Sequence, residues 1–555
     1  MKHVHALSLF VAATLLAAPS LAQQDASDEK DGGTLPDWLM LSAEYRVRTL
    51  FMRPLDVAGD EVVTMDYTKQ RLRVEPGLTL GKYVRIYSQF DILSGVLFGD
   101  NGEFGKSPEP SFGMAATSLW PNNSTYAIGL LPGQDPLKRE SYGPVLESVE
   151  PIKVNRIYGE VLLPFGILRV GRQPMADRPG ILYHDGGRNN RWGVSKYSPT
   201  GDRFLFATKI SELFKMISRG SGYQPDRSLD SGVFFGVAYD QVVNDDVFLQ
   251  SDNLHQVGVL LRWKEKEASW FGWKWRDFLL EAVFAARFSK EFDTKIYAIP
   301  LTAEFTVGRF HFLGEFAALL GHTREISEGL AALREPDPAK RVIHDQTIRA
   351  FGARGVLDVT LGPVVATLEV DFASGDSDPR DETPFETFFF ARDSNVGLYL
   401  FEHVLAFQTA RMAAVGIQNL KNVGSQSFPL TELASDGRFH NAIAIFPQVL
   451  YRPHHNFDVR FGALFAFAHK PVIDPIMTLL NEDGVEITDD AVNWNGGRPG
   501  RYYGTELDLQ LSWRYGGHFS WVLEGAVLFP GSALRNESGD AVASFMLENR
   551  FSFTF

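Results

Sequence analysis

The chain has 555 residues, of which 45% are hydrophobic and 22% charged, with a formal net charge of −14 and no cysteine. The acidic balance argues against nucleic acid as a partner, and the missing cysteine removes disulfides, thiolate metal sites and cysteine nucleophiles. A mean hydropathy of −0.11 suits a set of soluble domains. It equally suits one large membrane barrel, half of whose strand residues face water.

In chain order, Lys2 precedes an apolar run from Ala6 to Ala18, and Ser20 and Ala22 take the −3 and −1 positions of a cleavage site before Gln23. This is the pattern of a secretory signal peptide over 1–22. The run falls well short of the roughly 20 residues a spanning helix needs. Residues 23–37 are acidic, Gly-containing and aperiodic, a flexible leader on the periplasmic side.

Period-two alternation then predicts eighteen strands, at about 38–51, 69–80, 82–93, 154–163, 165–173, 203–210, 232–243, 253–265, 276–289, 298–308, 310–321, 346–360, 363–374, 439–451, 456–469, 503–515, 518–529 and 543–555. Tight turns fall at Gly81, Pro164, Gly308-Arg309, Gly362, Arg452 to His455 and Gly516-Gly517. Long segments cover 94–153, 174–202, 322–345, 375–438 and 470–502. The two kinds of connection separate by parity, so the short ones share one rim and the long ones the other. A transmembrane antiparallel β-barrel over 38–555, with short periplasmic turns and long extracellular loops, has this layout, whereas a soluble sandwich has no reason for it. One long connection, 211–231, falls on the short-turn side, and KISELFKMISRG there reads as an amphipathic helix closed by Gly220.

The last strand shows the two faces most plainly. Phe545, Leu547, Asn549, Phe551, Phe553 and Phe555 share one face, with Ser544, Met546, Glu548, Arg550, Ser552 and Thr554 on the other. It is expected to close the barrel against 38–51 and to offer Phe555 to the barrel-insertion machinery. Elsewhere Glu44, Arg46 and Arg48, then Arg71, Arg73 and Glu75, then Arg85, Gln89 and Asp91, then Arg156 and Glu160 alternate with apolar residues. A charge at every second position facing lipid would cost about 2–4 kcal/mol each near the midplane, so these groups are expected to line a wet lumen. Arginine outnumbers lysine by 36 to 18, and its fork matches carboxylates. The WFGWKW run at 270–275 suits an interfacial aromatic belt or a surface patch.

Catalytic signatures are missing: no G-x-S-x-G elbow, H-E-x-x-H motif, phosphate loop or dinucleotide fingerprint occurs, so no catalytic residue is expected. His454-His455 sits at a turn, where exposed polar residues are ordinary. The cluster at 171–192, GRQPMADRPGILYHDGGRNNRW, carries Arg172, Arg178, Arg188 and Arg191 with Asp177, Asp185, Tyr183 and Trp192. Either it is a solvated loop with internal Arg–Asp pairs, or it folds into the lumen and presents guanidinium groups to an anionic solute. A second cluster, 368–385, sets Glu369 and Asp371 ahead of Asp376, Asp378, Asp381 and Glu382. Asp376, Asp378 and Asp381 are candidate Ca²⁺ ligands, although the spacing is not that of an EF-hand and a solvated rim explains it as well.

At these places the chain resembles outer-membrane alginate-export-type porins: GRQ at 171–173 before an H-D-G-G-R loop, ASGD at 373–376 with Pro384-Phe385, and GTELDLQLSWRY at 504–515 running into LEGAVLFPG at 523–531. The resemblance implies an 18-stranded barrel in a Gram-negative outer membrane, with an arginine-lined pore that passes anionic polysaccharide and is partly closed by loops. The long 94–153 loop and ARMAAVGIQNL at 410–420 depart from that pattern, and the many lumen Glu and Asp residues speak against alginate itself. The expectation is therefore a porin or export channel in outer-membrane lipid for small or anionic solutes. Arg46, Arg48, Arg71, Arg73, Arg85, Arg156, Arg172, Arg188 and Arg191 are its pore or constriction residues. The competing readings are a structural or adhesion barrel plugged by 375–438, and an outer-membrane hydrolase.

Overall fold

The computed structural model describes residues 36, 38–59, 65–99, 127–130, 142–145, 150–186, 190–195, 198–220, 222–226, 228–244, 254–409, 435 and 437–555. The barrel strands are β1 (Leu39–Arg53), β2 (Met65–Leu80), β3 (Val84–Gly99), β4 (Glu150–Leu163), β5 (Gly166–Pro174), β6 (Thr200–Lys209), β7 (Gly232–Asn244), β8 (His255–Trp270) and β9 (Trp273–Ser289). They continue with β10 (Thr294–Val307), β11 (Phe310–Thr323), β12 (Gln346–Leu361), β13 (Val364–Ala373), β14 (Ala442–His454), β15 (Phe457–Ala468), β16 (Tyr502–Tyr515), β17 (Phe519–Pro530) and β18 (Ser544–Thr554). Each pairs antiparallel with the next, and β18 closes on β1 with Arg48 opposite Arg550 and Phe51 opposite Leu547. The eighteen expected strands are all present. β2, β4 and β8 run several residues further than alternation alone marked. A short hairpin, Ala127–Leu130 with Tyr142–Val145, lies in the connection after β3.

Burial is inverted relative to a soluble protein. On β18, Ser544, Met546, Glu548 and Arg550 are buried, while Phe545, Leu547, Phe551 and Phe553 are exposed. That inversion needs hydrocarbon outside and a polar interior. The apolar outer band and the segregated connections make the chain an outer-membrane-type β-barrel. No helix among the described residues is long and apolar enough to cross a membrane. At the periplasmic end of β8–β10, Trp263, Trp270, Trp275, Phe278 and Phe305 pack ring on ring, as an interfacial belt does.

One expectation is adjusted and another is met. The connection 290–293, on the long-loop rim, is as short as a periplasmic turn. The connection after β6 contains α1 (Ile210–Arg219), ended by Gly220, whose amide donates to the Met216 carbonyl at 3.1 Å. The signal segment, the leader up to residue 35, and 410–420 lie outside the described residues.

The outer half of the lumen is filled by residues 374–409 and 437–441 of the connection between β13 and β14. Phe385, Phe388, Phe390, Leu398, Tyr399 and Phe401 join the lumen faces of the strands, including Leu50, Met52, Tyr67, Phe446 and Leu464, in one apolar core. A π-helical turn, Leu400–Leu405, lies at its centre. Glu506 of β16 holds the turn in place: its carboxylate accepts hydrogen bonds from the amides of Leu398 (2.7 Å), Tyr399 (2.9 Å) and Leu400 (2.5 Å). Those amides begin a helical turn and have no acceptor within it, so a buried carboxylate both satisfies them and is itself stabilised. α2 (Glu325–Arg334) and α3 (Pro475–Asn481) cover the rim.

Candidate functional site

Alternation places one kind of side chain on one wall. On β18, β1, β2, β3, β4 and β5 the lumen positions include Arg550, Arg46, Arg48, Arg71, Arg73, Arg85, Arg156 and Arg169. Most are tied to carboxylates of the same wall. Arg48 bonds Glu548 through two nitrogens at 2.9 and 2.6 Å, and Arg73 bonds Asp91 at 2.7 and 2.8 Å. Arg71 reaches Glu44 at 2.8 Å, and Glu160 takes both Arg169 (2.7 Å) and Arg85 (3.7 Å).

The cations outnumber these partners, and Arg71 and Arg156 are left with donors that meet no acceptor among the described residues. Arg46 and Arg71 are register neighbours, both buried. Arg46 gives a long hydrogen bond, 3.5 Å, to the Ser195 carbonyl. Arg71 Nε and Nη1 and Arg156 Nε have no acceptor among the described residues. Arg156 bonds the carbonyl of Asp185. Like charges set side by side away from bulk water are costly unless an anion joins them, which makes this stretch a place for one.

Over these arginines lies the Arg-rich connection between β5 and β6, whose described residues 175–186 and 190–195 fold into the lumen and cross it. Asp177 pairs with Arg262 of β8 at 2.7 and 2.8 Å, and Tyr183 donates to Gln256 at 3.1 Å. Arg191 forks onto Asp358 of β12 at 3.1 and 2.9 Å. Trp192, 2% exposed, donates from Nε1 to Gln448 of β14 at 3.0 Å and packs on Phe446. The Gly193 amide donates to Glu524 of β17 at 3.0 Å. Ser195 donates to Asp393 of the plug at 3.1 Å, so the two inserted loops are joined. Gly462 makes room for this crossing: a Cβ there would stand 2.6 Å from the Phe446 ring and 3.1 Å from Trp192.

Below the loop, a cavity of about 300 Å³ remains against β5–β11, lined by Arg169, Arg203, Gln256, Leu260, Arg262 and Glu315 among others. Ile167, Arg169, Ala207, Leu229 and Phe234 also line a second space of about 130 Å³, beneath Leu213 and Met216 of α1. The second space also touches the turn at Leu163–Gly166.

Of the pore residues read from sequence, Arg46, Arg48, Arg71, Arg73, Arg85 and Arg156 stand on the lumen wall, and Arg191 stands in the inserted loop. Arg188 lies outside the described residues. Arg172 is a correction to its lumen placement. It alternates with Leu168 and Val170 on the outward face of β5 and pairs with Asp202 at 3.0 and 3.1 Å. Arg169, which has the opposite parity, is the lumen group on that strand and was passed over, although the alternation of LRVGRQ marks it. Asp376, Asp378 and Asp381 do not converge as a cation site. Asp376 accepts the amides of Asp378 (2.9 Å) and Glu386 (3.1 Å), and Asp378 forks with Arg380 (2.9 and 2.7 Å). Asp381 takes Ser327 (2.6 Å) and Arg334 (3.0 Å). Among the described residues no group of three potential ligands comes together.

No family model matches the sequence. No curated protein matches it either. Solved structures similar to the chain include OpdK of Pseudomonas aeruginosa with vanillate, at 11% identity and a TM-score of 0.44, covering 93% of this chain and 98% of that one. OccK9 (OpdG) of the same organism is 9% identical with a TM-score of 0.44, over 93% and 98% of the two chains. OccAB4 of Acinetobacter baumannii is 8% identical with a TM-score of 0.43, over the same shares. Likeness at this level says nothing of a substrate.

Proposed function

We propose that the chain is an outer-membrane channel that passes small anionic solutes along its arginine wall. The observation that carries the reading is the adjacent, buried pair Arg46 and Arg71, with Arg71 Nε and Nη1 and Arg156 Nε left without acceptors among the described residues, next to the loop that crosses the lumen. A carboxylate or phosphate oxygen meeting those donors replaces part of its hydration with charge-assisted hydrogen bonds. The bound carboxylates of the wall keep each site shallow enough for release to the next guanidinium. Arg169, Arg203 and Arg262 beside the lower cavities continue the path to the periplasm. Two folded loops across the lumen favour small solutes over a polysaccharide chain, so the export of an alginate-like polymer is the weaker form of this proposal. No step requires catalysis.

A second reading, a plugged structural or adhesion barrel, is favoured by one observation: the apolar seal made by Phe385 to Phe407 across the outer lumen. Planar-bilayer recording separates the two. A channel shows unit conductance that small carboxylates or phosphate reduce in a concentration-dependent way. A plugged barrel shows no unit conductance at all.

A further inference from the structure

The outward face is apolar over most of the circumference. Val259, Leu301, Phe316, Val370, Ile445 and Phe461 represent its exposed mid-strand positions from β8 to β15. The seam of the barrel is different. Asn549 of β18, Thr49 of β1 and Thr68 of β2 are register partners in one row across three adjacent strands, on the same outward face as Phe51 and Phe551. Gln70 follows Thr68 on that face. Asn549 lies between Phe545 and Phe553, which stand four residues to either side on β18, so the row is inside the hydrocarbon band.

These groups are only half satisfied. Trp521 Nε1 donates to Asn549 Oδ1 at 2.7 Å, Tyr45 donates to Gln70 Oε1 at 2.9 Å, and the Thr49 and Thr68 hydroxyls bond each other at 3.0 Å. Each amide thus has its oxygen engaged from within the barrel, while Asn549 Nδ2 and Gln70 Nε2 have no acceptor among the described residues. In hydrocarbon there is no water to take those protons, and lipid chains offer no acceptor. Polar side chains on a membrane-facing surface are the groups that join membrane elements to one another.

We propose that the β18–β1–β2 seam is the contact through which two copies of this chain associate in the membrane. The chemistry is self-complementary, because amides and hydroxyls both donate and accept. A two-fold axis along the membrane normal keeps the copies in the same orientation and reverses the lateral order of the row. Thr49, the middle member, then meets Thr49 of the second copy, and the Asn549 amide meets the Gln70 side of that copy, while Thr68, 3% exposed, lies covered behind Thr49 and Gln70. This is an isologous contact, and it supplies each free N–H with an oxygen. Arg46 and Arg48, on the inner face of the same strand β1, remain in the lumen, so each copy keeps its own wall.

The absence of cysteine makes the test direct. Thr49→Cys gives each copy a single thiol, and oxidation in membrane vesicles is expected to yield a covalent species of twice the chain's mass. Leu301→Cys, on the outward face of β10, is expected to yield none. In the Thr49→Cys background, Asn549→Leu with Gln70→Leu should lower the cross-linked yield about fivefold, the scale of a lost interhelical or interstrand polar contact. Leucine matches the neighbouring lipid-facing residues, and retention of the heat-modifiable folded band shows that the barrel is intact. The proposal is overturned by any of four results. These are no dimer from Thr49→Cys, equal cross-linking from Leu301→Cys, a product of some other mass, or an unchanged yield in the folded leucine variant. The mass of the unmodified protein in mild detergent is an independent readout, and a monomer there with no cross-link in vesicles also overturns it.

Discussion

Two walls of the lumen bury charge in different ways. On the β18–β5 wall, guanidinium groups are neutralised by carboxylates of neighbouring strands, Arg71 and Arg156 keep donors without acceptors among the described residues, and Arg46 has a single long hydrogen bond to a carbonyl. On the β14–β17 wall, Glu506 is held by the backbone of an inserted loop, through the amides of 398–400, while Glu524 meets the Gly193 amide on one oxygen and Arg550 of the first wall at 3.0 Å on the other. A charge satisfied by other side chains of a rigid sheet stays available to a passing ion. A charge satisfied by loop amides is used up in fixing the loop. One wall handles solute and the other holds the furniture that narrows the path.

The largest expected effect breaks the second wall. Glu506→Ala leaves three buried amides without their acceptor, and each hydrogen bond to a charged group is worth about 1.5–3 kcal/mol. The plug at 374–409 should loosen, seen as faster protease cleavage within it and a larger unit conductance. Unchanged cleavage and conductance would show that Glu506 does not hold the plug. Next, Gly462→Ala drives a methyl into the Phe446 ring and toward Trp192, overpacking that costs about 1–3 kcal/mol. Trp192 should move, changing its fluorescence and lowering the unfolding midpoint, while the arginine wall is unaffected. An unaltered midpoint would contradict the crossing of the loop at this point.

A smaller effect concerns pH. Burial pushes the Asp376 carboxyl up to about 6, against the amides of Asp378 and Glu386, which favour the charged form. The folded value lies above the ordinary one of about 4. The charged side chain therefore costs the loop stability above pH 6, and that cost fades as pH falls from about 6 toward 4. Proteolysis at the base of the plug should slow on acidification through this window, and Asp376→Asn should remove the dependence. A dependence that survives in Asp376→Asn would assign it elsewhere. Smallest of all, Arg172→Ala, on the outward face, should leave ion selectivity as it is; a lowered anion preference would return Arg172 to the path.

The barrel was legible in the sequence because period-two alternation is a local property: Arg46 and Arg48, or Glu548 and Arg550, declare their face within one strand. The same rule separated the arginine wall from the lipid face. It failed at Arg172 because a cluster of arginines in one segment, GRQPMADRPG, was read as a group, whereas Arg169 and Arg172 differ in parity and point to opposite faces. The plug was legible only as a long loop. Its packing rests on aperiodic contacts such as Phe388 against Gly352, where a Cβ would stand 2.3 Å from the ring. Glu506 reads as one more alternating lumen charge, since its partners are backbone amides more than 100 residues away, which carry no residue-type signal. Arg191 and Trp192 were singled out, but their partners Asp358 and Gln448 could come only from the closed barrel.

The arginine wall is tested most directly by the reversal potential of single channels in a salt gradient, compared between the unmodified protein and Arg46→Ala with Arg71→Ala. The unmodified channel is expected to prefer anions, and the double variant to lose most of that preference while keeping the barrel folded. A reversal potential that is the same in both would contradict the claim that these arginines select what passes.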